Sequence, residues 1–244
     1  MKNNKILIAL IAGVAFVMGC WFLSNTLLKK NKSQDVIGVT GLASENFTSD
    51  LIVWSCSFSK KTMDLKESYK LLKADREKII AYMKSKGLDE KDLIFSSVST
   101  YNDYEYTTLP GGASKKEFLG FLLSQSLRIE SKNVEKVEKL SREVTELIDI
   151  GVELQSEAPQ YYYTKLSELK IKMIANATKD ARNRAEKIAT NAKSSLGKLK
   201  QADLGIFQIT AQNSSEEYSW GGTFNTSSKE KTASITVNLS FETK

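Results

Sequence analysis

The sequence has no histidine and only two cysteines among its 244 residues. The absence of histidine excludes the usual zinc sites and the Ser-His and Cys-His pairs that activate a nucleophile in hydrolases. The two cysteines, Cys20 and Cys56, allow at most one disulfide, and a membrane anchor containing Cys20 would leave Cys56 without an intramolecular partner. We therefore expect a fold that is stable without disulfides and holds no metal or other cofactor.

Acidic residues are missing from the first 32 positions, which carry five lysines. These are Lys2, Lys5, Lys29, Lys30 and Lys32. They account for all but one of the six net positive charges, so the rest of the chain is nearly neutral. A surface that neutralises nucleic-acid phosphates needs lysine and arginine concentrated on the folded part. Nucleic acid is therefore not an expected partner.

Charge of either sign is absent from the 23 residues at 6–28. At about 1.5 Å per residue, a helix of this length crosses the roughly 30 Å hydrocarbon core of a bilayer. We predict a single-pass transmembrane signal anchor at 6–28, after a cytoplasmic N-terminus at 1–5 and before a polar tether at 29–36. The folded domain at 37–244 is then expected outside the cytoplasmic membrane, in the periplasm or the extracellular space.

A second interpretation of the apolar stretch concerns Cys20. The segment Val17-Met18-Gly19-Cys20 resembles the lipobox of bacterial lipoproteins, which makes Cys20 a candidate for lipidation. The apolar run continues for eight residues past Cys20, whereas a lipoprotein normally becomes polar at this point. The pattern favours an uncleaved anchor and leaves cleavage and lipidation as the alternatives.

The folded part begins with two apolar runs at 37–59. The turn formers of Asn46–Asp50 separate the runs, which predicts an antiparallel hairpin. In the second run, one strand face is formed by Ile52, Trp54, Cys56 and Phe58. We interpret Cys56 as a small buried hydrophobe rather than a reactive thiol, because the chain has no histidine to activate it.

Helical and period-2 patterns alternate along the rest of the chain. A helix is predicted at 64–86, because Asp64 and Glu67 have capping-box spacing and apolar residues follow at helical intervals. Further segments are extended residues at 93–108, a long strand from 118, a helix at 134–148, extended residues at 152–154 and 161–167, and strands at 203–212 and 231–242. Two strand–helix–strand units, 51–108 and 118–167, thus follow one another as an internal structural repeat.

A long alanine-rich helix is predicted at 168–195. Its inward face comprises Ile174, Ala177, Ala181, Ala185, Ile188 and Ala192. Small side chains let a helix lie close to a sheet, so we expect it to pack on antiparallel strands. The predicted fold class is α+β: two strand–helix–strand units and this helix on an antiparallel sheet, preceded by one N-terminal transmembrane helix.

Tyrosines are concentrated in two segments. They are Tyr101, Tyr104 and Tyr106 in one and Tyr161, Tyr162 and Tyr163 in the other. Because the two groups occupy matching places in the two units, we expect them to lie near one another as an aromatic patch on a sheet edge. Such a patch can contact a neighbouring subunit or a ligand such as a glycan, and ordinary sheet packing is the alternative.

Two further motifs bear on chemistry. Asp103 and Glu105 fall on one strand face, close enough to bind a cation or share a proton, although alternating acids on a strand usually form a solvated face. The segment Trp220-Gly221-Gly222 lacks the lysine and the helix start of a phosphate-binding loop. We therefore interpret it as a loop tip.

The order of short motifs along 37–243 resembles that of a known family. The motifs are Val39, Gly41 and Ala43, then Asp50, then Val134 and Val137, then an Ala-Arg-x-x-Ala-Glu pattern at 181–186 followed by Leu196-Gly197-Lys198, and Ala-Ser-Ile-Thr-Val at 233–237. This order is similar to that of the SIMPL-domain family, the domain of unknown function 541, which includes bacterial periplasmic and outer-membrane-associated immunogenic proteins. Two positions depart from its pattern: Ser49 stands where a proline is common, and the glycine-tyrosine-x-alanine motif is represented only around Gly120.

Two functional hypotheses follow. The resemblance implies an envelope protein that assembles into homo-oligomers, has a role linked to stress tolerance and carries no catalytic residue. Together with the anchor, it favours a non-enzymatic, membrane-anchored and self-associating protein. The alternative is an extracytoplasmic module that binds a small ligand or a glycan, or hydrolyses one with carboxylates, and it depends on the tyrosines with Asp103 and Glu105.

Overall fold

The computed structural model describes residues 13–24, 36–108, 110, 112 and 114–243. Residues 13–24 are helical. The later elements are β1 (Val36–Thr48), β2 (Leu51–Thr62), α1 (Leu65–Ser85), β3 (Leu93–Phe95), β4 (Ser99–Thr108), β5 (Ser114–Ser131), α2 (Val134–Glu143), α3 (Glu146–Asp149), β6 (Leu154–Ser156), β7 (Gln160–Tyr162), α4 (Leu166–Asn191), β8 (Leu196–Leu204), β9 (Gln208–Ala211) and β10 (Glu230–Thr243). The fold is α+β with antiparallel sheets, which confirms the predicted class.

Only part of the predicted anchor at 6–28 lies among the described residues. That part, 13–24, is a helix whose side chains are exposed. No helix in the described ranges is both long enough and apolar enough to cross a membrane. The predicted N-terminal segment at 1–5 and nearly all of the tether at 29–36 lie outside the described residues.

The chain divides into two compact units. The larger unit consists of Leu42–Ala177 and Gly205–Thr236. The smaller unit consists of the described residues up to Gly41, Thr178–Leu204, and the described residues from Val237 onward.

A six-stranded antiparallel sheet forms the centre of the larger unit. Its order is β3-β5-β2-β6, with β4 also beside β5 and β7 also beside β2. The longest ladder on β2 joins it to β5, from Ile52 opposite Ser131 to Thr62 opposite Phe121. This order of strands and helices is that of the split βαβ, ferredoxin-like motif. The two predicted strand–helix–strand units are therefore present, and the closing strands of each pair with the first strand of the other.

The predicted hairpin between the first two strands is wrong. Strand β1 pairs with β10 in a separate four-stranded sheet, whereas β2 lies inside the six-stranded sheet. At the corner between them, the Ser49 N–H donates to the Lys229 carbonyl and the Asp50 N–H donates to the Tyr162 carbonyl, both at 3.0 Å. The Asp50 carboxylate accepts hydrogen bonds from the backbone N–H and hydroxyl of Thr164, each at 2.7 Å. The corner is thus held by other strands rather than closed as a turn.

The predicted apolar face of β2 is confirmed. Ile52, Trp54, Cys56 and Phe58 are all buried in the core of the larger unit. The Trp54 indole N–H donates to the Ser156 hydroxyl and to the Glu157 carbonyl, each at 3.1 Å. Burial raises the pKa of the Cys56 thiol to about 12, with a smaller contribution from the charge of Glu157. Cys56 therefore stays a protonated, buried hydrophobe at neutral pH, as predicted.

Helix α1 covers the predicted range to within one residue at each end. The Asp64 side chain caps it by accepting the Glu67 N–H at 2.9 Å. Its inward face adds Leu72, Ile79 and Met83 to the core. Gly87 follows the helix with φ of +80°, a conformation that glycine adopts without steric cost.

Helix α4 ends earlier than predicted. Its buried side chains recur every four residues: Leu169, Met173 and Ala177 in the larger unit, and Ala181, Ala185 and Ala189 in the smaller one. The prediction that Ile188 and Ala192 face inward is wrong, since Ile188 is 48% exposed and Ala192 is exposed. Lys193 reverses the chain with φ of +55°, and Ser194 N–H bonds to the Ala189 carbonyl. Because a lysine rather than a glycine takes this conformation, the sequence carried no stop signal.

In the smaller unit, β8 pairs antiparallel with β10, from Leu204 opposite Val237 to Leu196 opposite Thr243. Strand β8 therefore begins directly after α4, seven residues before the strand predicted at 203. A Cβ on Gly197 would lie 2.8 Å from the Glu242 Cβ, so only glycine allows this close approach. The predicted last strand is confirmed, with Ile235, Val237, Leu239 and Phe241 buried.

Candidate functional site

The first group of tyrosines lies on a ribbon that extends beyond the six-stranded sheet. Strand β5 pairs with β2 only as far as Phe121, and its residues 114–120 pair only with β4. We call this two-stranded extension, 103–108 with 114–120, the ribbon. Gly120 is where it leaves the sheet: its φ is +126°, and a Cβ there would lie 2.6 Å from the Thr62 carbonyl oxygen.

Aromatic rings line the ribbon. The Tyr104 ring lies 5.4 Å from that of Phe118, which lies 5.1 Å from that of Phe121. The Lys116 ammonium lies 3.7 Å from the centre of the Tyr104 ring and 5.6 Å from that of Tyr106. Tyr104 is therefore partly covered by its neighbours, whereas Tyr106 is 65% exposed. Tyr101, at the base of the ribbon, is 60% exposed.

The second group of tyrosines belongs to the framework. Tyr161 is buried opposite Ile52 and forms part of the core. The half-buried Tyr162 donates its hydroxyl to Gln160 Oε1 at 2.8 Å. The Tyr163 ring lies 4.8 Å from that of Phe47.

The two groups lie at opposite ends of the sheet, so the prediction that they share one patch is wrong. Tyr161 is opposite Ile52 on β2, whereas Tyr101 is opposite Leu122, which pairs with Lys61 on β2. Nine residues of strand separate these positions, about 30 Å at the usual rise per residue. The cause is the antiparallel pairing of β2 and β5, the first strands of the two units. Matching positions in the two units therefore lie at opposite ends of the sheet.

Asp103 and Glu105 have separate surroundings. Asp103 Oδ2 accepts a hydrogen bond from the Lys61 ammonium at 2.9 Å, so an internal cation already neutralises it. Glu105 is exposed and lies opposite Glu117, which pairs with Lys115 at 3.1 Å. Within the described ranges, no group of three or more histidine, cysteine, aspartate or glutamate side chains is arranged to hold a metal ion. Cys20, the candidate for lipidation, is exposed on the helical segment 13–24.

A pocket that the sequence did not predict lies beside Trp220. Its volume is about 360 Å³, and its lining includes Leu42, Ile206, Gln208, Tyr218, Trp220 and Thr236. Trp220 occupies a turn, as expected for a loop tip, and is 97% exposed. The sequence shows two aromatic residues next to a glycine pair, but it gives no sign that β9 and β10 bring Ile206 and Thr236 beneath them.

Buried Gln208 fixes the loop that carries Trp220. Its Oε1 accepts the backbone N–H groups of Ser219 and Thr223, at 3.3 and 2.7 Å, and its Nε2 donates to the Ser219 carbonyl at 2.9 Å. Gly222 has φ of +90°, and a Cβ there would lie 2.9 Å from the Phe207 carbonyl oxygen. The backbone of the loop that carries Trp220 is thus fixed by a buried amide and a close backbone contact.

Buried Lys231 ties down the far end of the same loop. Its ammonium donates to the carbonyls of Asn225 and Ser228 at 2.7 and 2.6 Å. Burial lowers the pKa of Lys231 to about 8, although the nearby Glu216 carboxylate acts in the opposite direction. The Asn225 side chain donates to Glu216, whose other oxygen accepts the Ala211 N–H at 3.0 Å. A buried cation and a carboxylate therefore organise the loop together.

Comparison with known proteins identifies one relationship. The family model SIMPL, described as "Protein of unknown function (DUF541)", matches residues 37–241. This confirms the resemblance that the order of motifs indicated. No curated protein matches the chain.

We predict that Lys231 makes stability rise with pH above about 8. An unfolded lysine titrates near pH 10.4, so between the two pKa values the unfolded chain binds more protons, and the free energy of unfolding gains up to about 1.4 kcal/mol per pH unit. Denaturant titrations of the wild type and Lys231→Met at pH 7–9.5 measure this pH dependence. Because Cys56 is present in both proteins, its titration cancels in the difference between their free energies of unfolding.

Lys229→Met is the matched control. Lys229 forms ion pairs with Glu135 and Glu138, which raise its pKa, so its contribution should stay constant over this pH range. A wild-type minus Lys231→Met difference that does not change with pH would show that the buried ammonium is not destabilised in the native fold.

Proposed function

The chain belongs to the SIMPL family, and we propose that it acts as a non-enzymatic cell-envelope protein, anchored in the membrane through 6–28 and assembled into homo-oligomers through the ribbon. The folded part lies outside the cytoplasmic membrane in this proposal. We also propose a stress-related role, which is supported by the family resemblance. The single observation that carries the proposal is the ribbon, an exposed aromatic extension with free strand edges.

The ribbon has more unpaired backbone than a strand inside the sheet. Among the described residues, β4 pairs only with β5, and β5 has no partner on its other side along 114–120. An isolated two-stranded hairpin is marginally stable in water, and an exposed strand edge is a template for pairing with another chain. Pairing with a second copy of the ribbon would stabilise the two-stranded hairpin and supply a partner for its exposed edge.

The side chains of the ribbon suit contact between identical copies. Tyr106 on the ribbon and Tyr101 at its base offer large apolar surfaces with a polar tip, the composition typical of subunit contacts. On the tyrosine face Lys116 lies opposite Tyr106. On the other face Lys115 pairs with Glu117, which lies opposite Glu105, so both signs of charge are present on the ribbon. In a two-fold contact each patch meets its own copy, and such mixed charge can be complementary to itself.

The anchor is supported by the 23 uncharged residues at 6–28. Their described part, 13–24, is helical and exposes apolar side chains that include Phe16, Trp21 and Phe22. Exposed contiguous apolar surface on a helix favours contact with lipid or with another protein. A function without catalysis is supported by the lack of histidine and by the neutralisation of Asp103 by Lys61.

We predict that the double variant Tyr101→Ser, Tyr106→Ser weakens self-association without lowering the cooperativity of unfolding. A buried interface tyrosine contributes about 2 kcal/mol, so the loss of one alone raises the dissociation constant roughly 30-fold. Sedimentation of the full-length protein in detergent measures the oligomeric state. Tyr69→Ser, the same change at an exposed position on α1, is the control and should leave sedimentation unchanged. A monomeric wild type, or an unchanged double variant, contradicts assembly through the ribbon.

We predict that the folded part is exposed outside the cytoplasmic membrane. In a Cys20→Ser background with Cys56 buried, a cysteine introduced by Lys66→Cys on α1 should react with a membrane-impermeant maleimide on intact protoplasts. A cysteine introduced by Asn3→Cys should react only after lysis, because it precedes the anchor. The reverse pattern would place the folded part in the cytoplasm, and labelling of both before lysis would exclude a spanning anchor.

A further inference from the structure

We propose that the pocket beside Trp220 binds an uncharged sugar ring of a glycan. None of the tyrosines at 101–106 and 161–163 lines this pocket, so the glycan site proposed here is separate from them. The pocket is concave and preformed, and its volume of about 360 Å³ lies within the range of small-ligand sites.

The walls of the pocket are aromatic platforms. Trp220 is 97% exposed and Tyr218 is 65% exposed, although both line the concavity. Exposed apolar area of this size is unfavourable in water, and a ligand that covers it regains the free energy of burial. The backbone that carries both platforms is fixed in advance, because Gln208 bonds to the backbone of Ser219 and Thr223 and Gly222 lies close to the Phe207 carbonyl. Little backbone entropy is then lost on binding.

The uncharged lining of the pocket favours an uncharged ligand over an anionic one. The lining contains no charged side chain. Residues 205–224 contain neither lysine nor arginine, and they include the two acids Glu216 and Glu217. A phosphate, a nucleic acid or an anionic lipid surface would find no cation in the lining, although each needs positive charge at close range. The ligand is therefore uncharged at the atoms that enter the pocket.

The polar groups of the pocket require a ligand that also forms hydrogen bonds. The Thr236 hydroxyl has no hydrogen-bond partner among the described residues, and a Cβ on Gly205 would lie 2.4 Å from it, so glycine leaves this hydroxyl accessible. Ser219 and Ser234 add two hydroxyls to the lining. Ser219 accepts the Gly221 N–H and Ser234 bonds to the Ser44 hydroxyl, so a purely apolar occupant would leave the Thr236 hydroxyl unpaired, at a cost of about 1–3 kcal/mol. A sugar ring supplies both an apolar face and hydroxyls at its rim.

Two neutral tetrasaccharides, maltotetraose and the tetramer of N-acetylglucosamine, are the probes. Full-length Trp21→Phe protein in detergent leaves Trp220 exposed and Trp54 buried, so acrylamide quenching of fluorescence reports on Trp220. We expect at least one probe to protect Trp220 from quenching, and calorimetric titration to give its affinity. Trp220→Ala should weaken binding at least tenfold and Thr236→Val about three- to tenfold, as expected for the loss of a platform and of one hydrogen bond.

Controls separate a glycan from other occupants. Tyr69→Ala removes an exposed aromatic side chain outside the pocket and should leave the affinity unchanged. The neutral apolar dye N-phenylnaphthylamine and the anionic tetragalacturonate should protect Trp220 less than the best neutral tetrasaccharide does. Protection by the dye alone would overturn the proposal in favour of an apolar ligand. Equal binding of the anionic sugar, an affinity that Trp220→Ala does not change, or no protection by either neutral tetrasaccharide would overturn it as well. The ribbon is not involved, so each result is independent of self-association.

Discussion

The antiparallel ladder between β2 and β5 is the interaction on which the larger unit depends. It pairs every residue from Ile52 to Thr62 with one on β5, and it places Trp54 and Phe58 on the face that the helices cover. The flanking strands β3, β4, β6 and β7 each pair with one of these two. Because the sheet has no other central pairing, its loss would split the sheet into two halves, β5 with β3 and β4, and β2 with β6 and β7.

The unequal lengths of these two strands create the ribbon. Strand β5 has 18 residues and β2 has 12, so β5 continues past the end of its partner with β4 alongside. The part of β5 that extends beyond β2 can serve as an assembly surface, because its strand edge and Tyr101 and Tyr106 of β4 are exposed to solvent. The Trp220 pocket arises differently, from a loop that Gln208 and Lys231 hold over β9 and β10. One protein can thus combine self-association and ligand binding on separate surfaces.

Local periodicity predicted the elements well, and pairing was where the prediction failed. The alternation around Trp54 and the cap at Asp64 depend on neighbours in sequence, and both were predicted correctly. The partner of β1 depends on Ser49 and Asp50 bonding to distant carbonyls, which no local pattern records. The separation of the tyrosines and the convergence of Thr236 with Trp220 likewise result from strand order. Sites formed by strands that are distant in sequence could therefore not be predicted from local patterns.

Hydrogen exchange at two protein concentrations tests the central claim, that the ladder is a permanent framework and the ribbon an assembly surface. The account predicts that amides of 52–62 and 121–131 exchange slowly at both concentrations, because the ladder is complete within one chain. Amides of 103–108 and 114–120 should be protected only at the concentration where the protein is assembled. Ribbon protection that does not depend on concentration, or a ladder that exchanges as fast as the ribbon, would contradict the account.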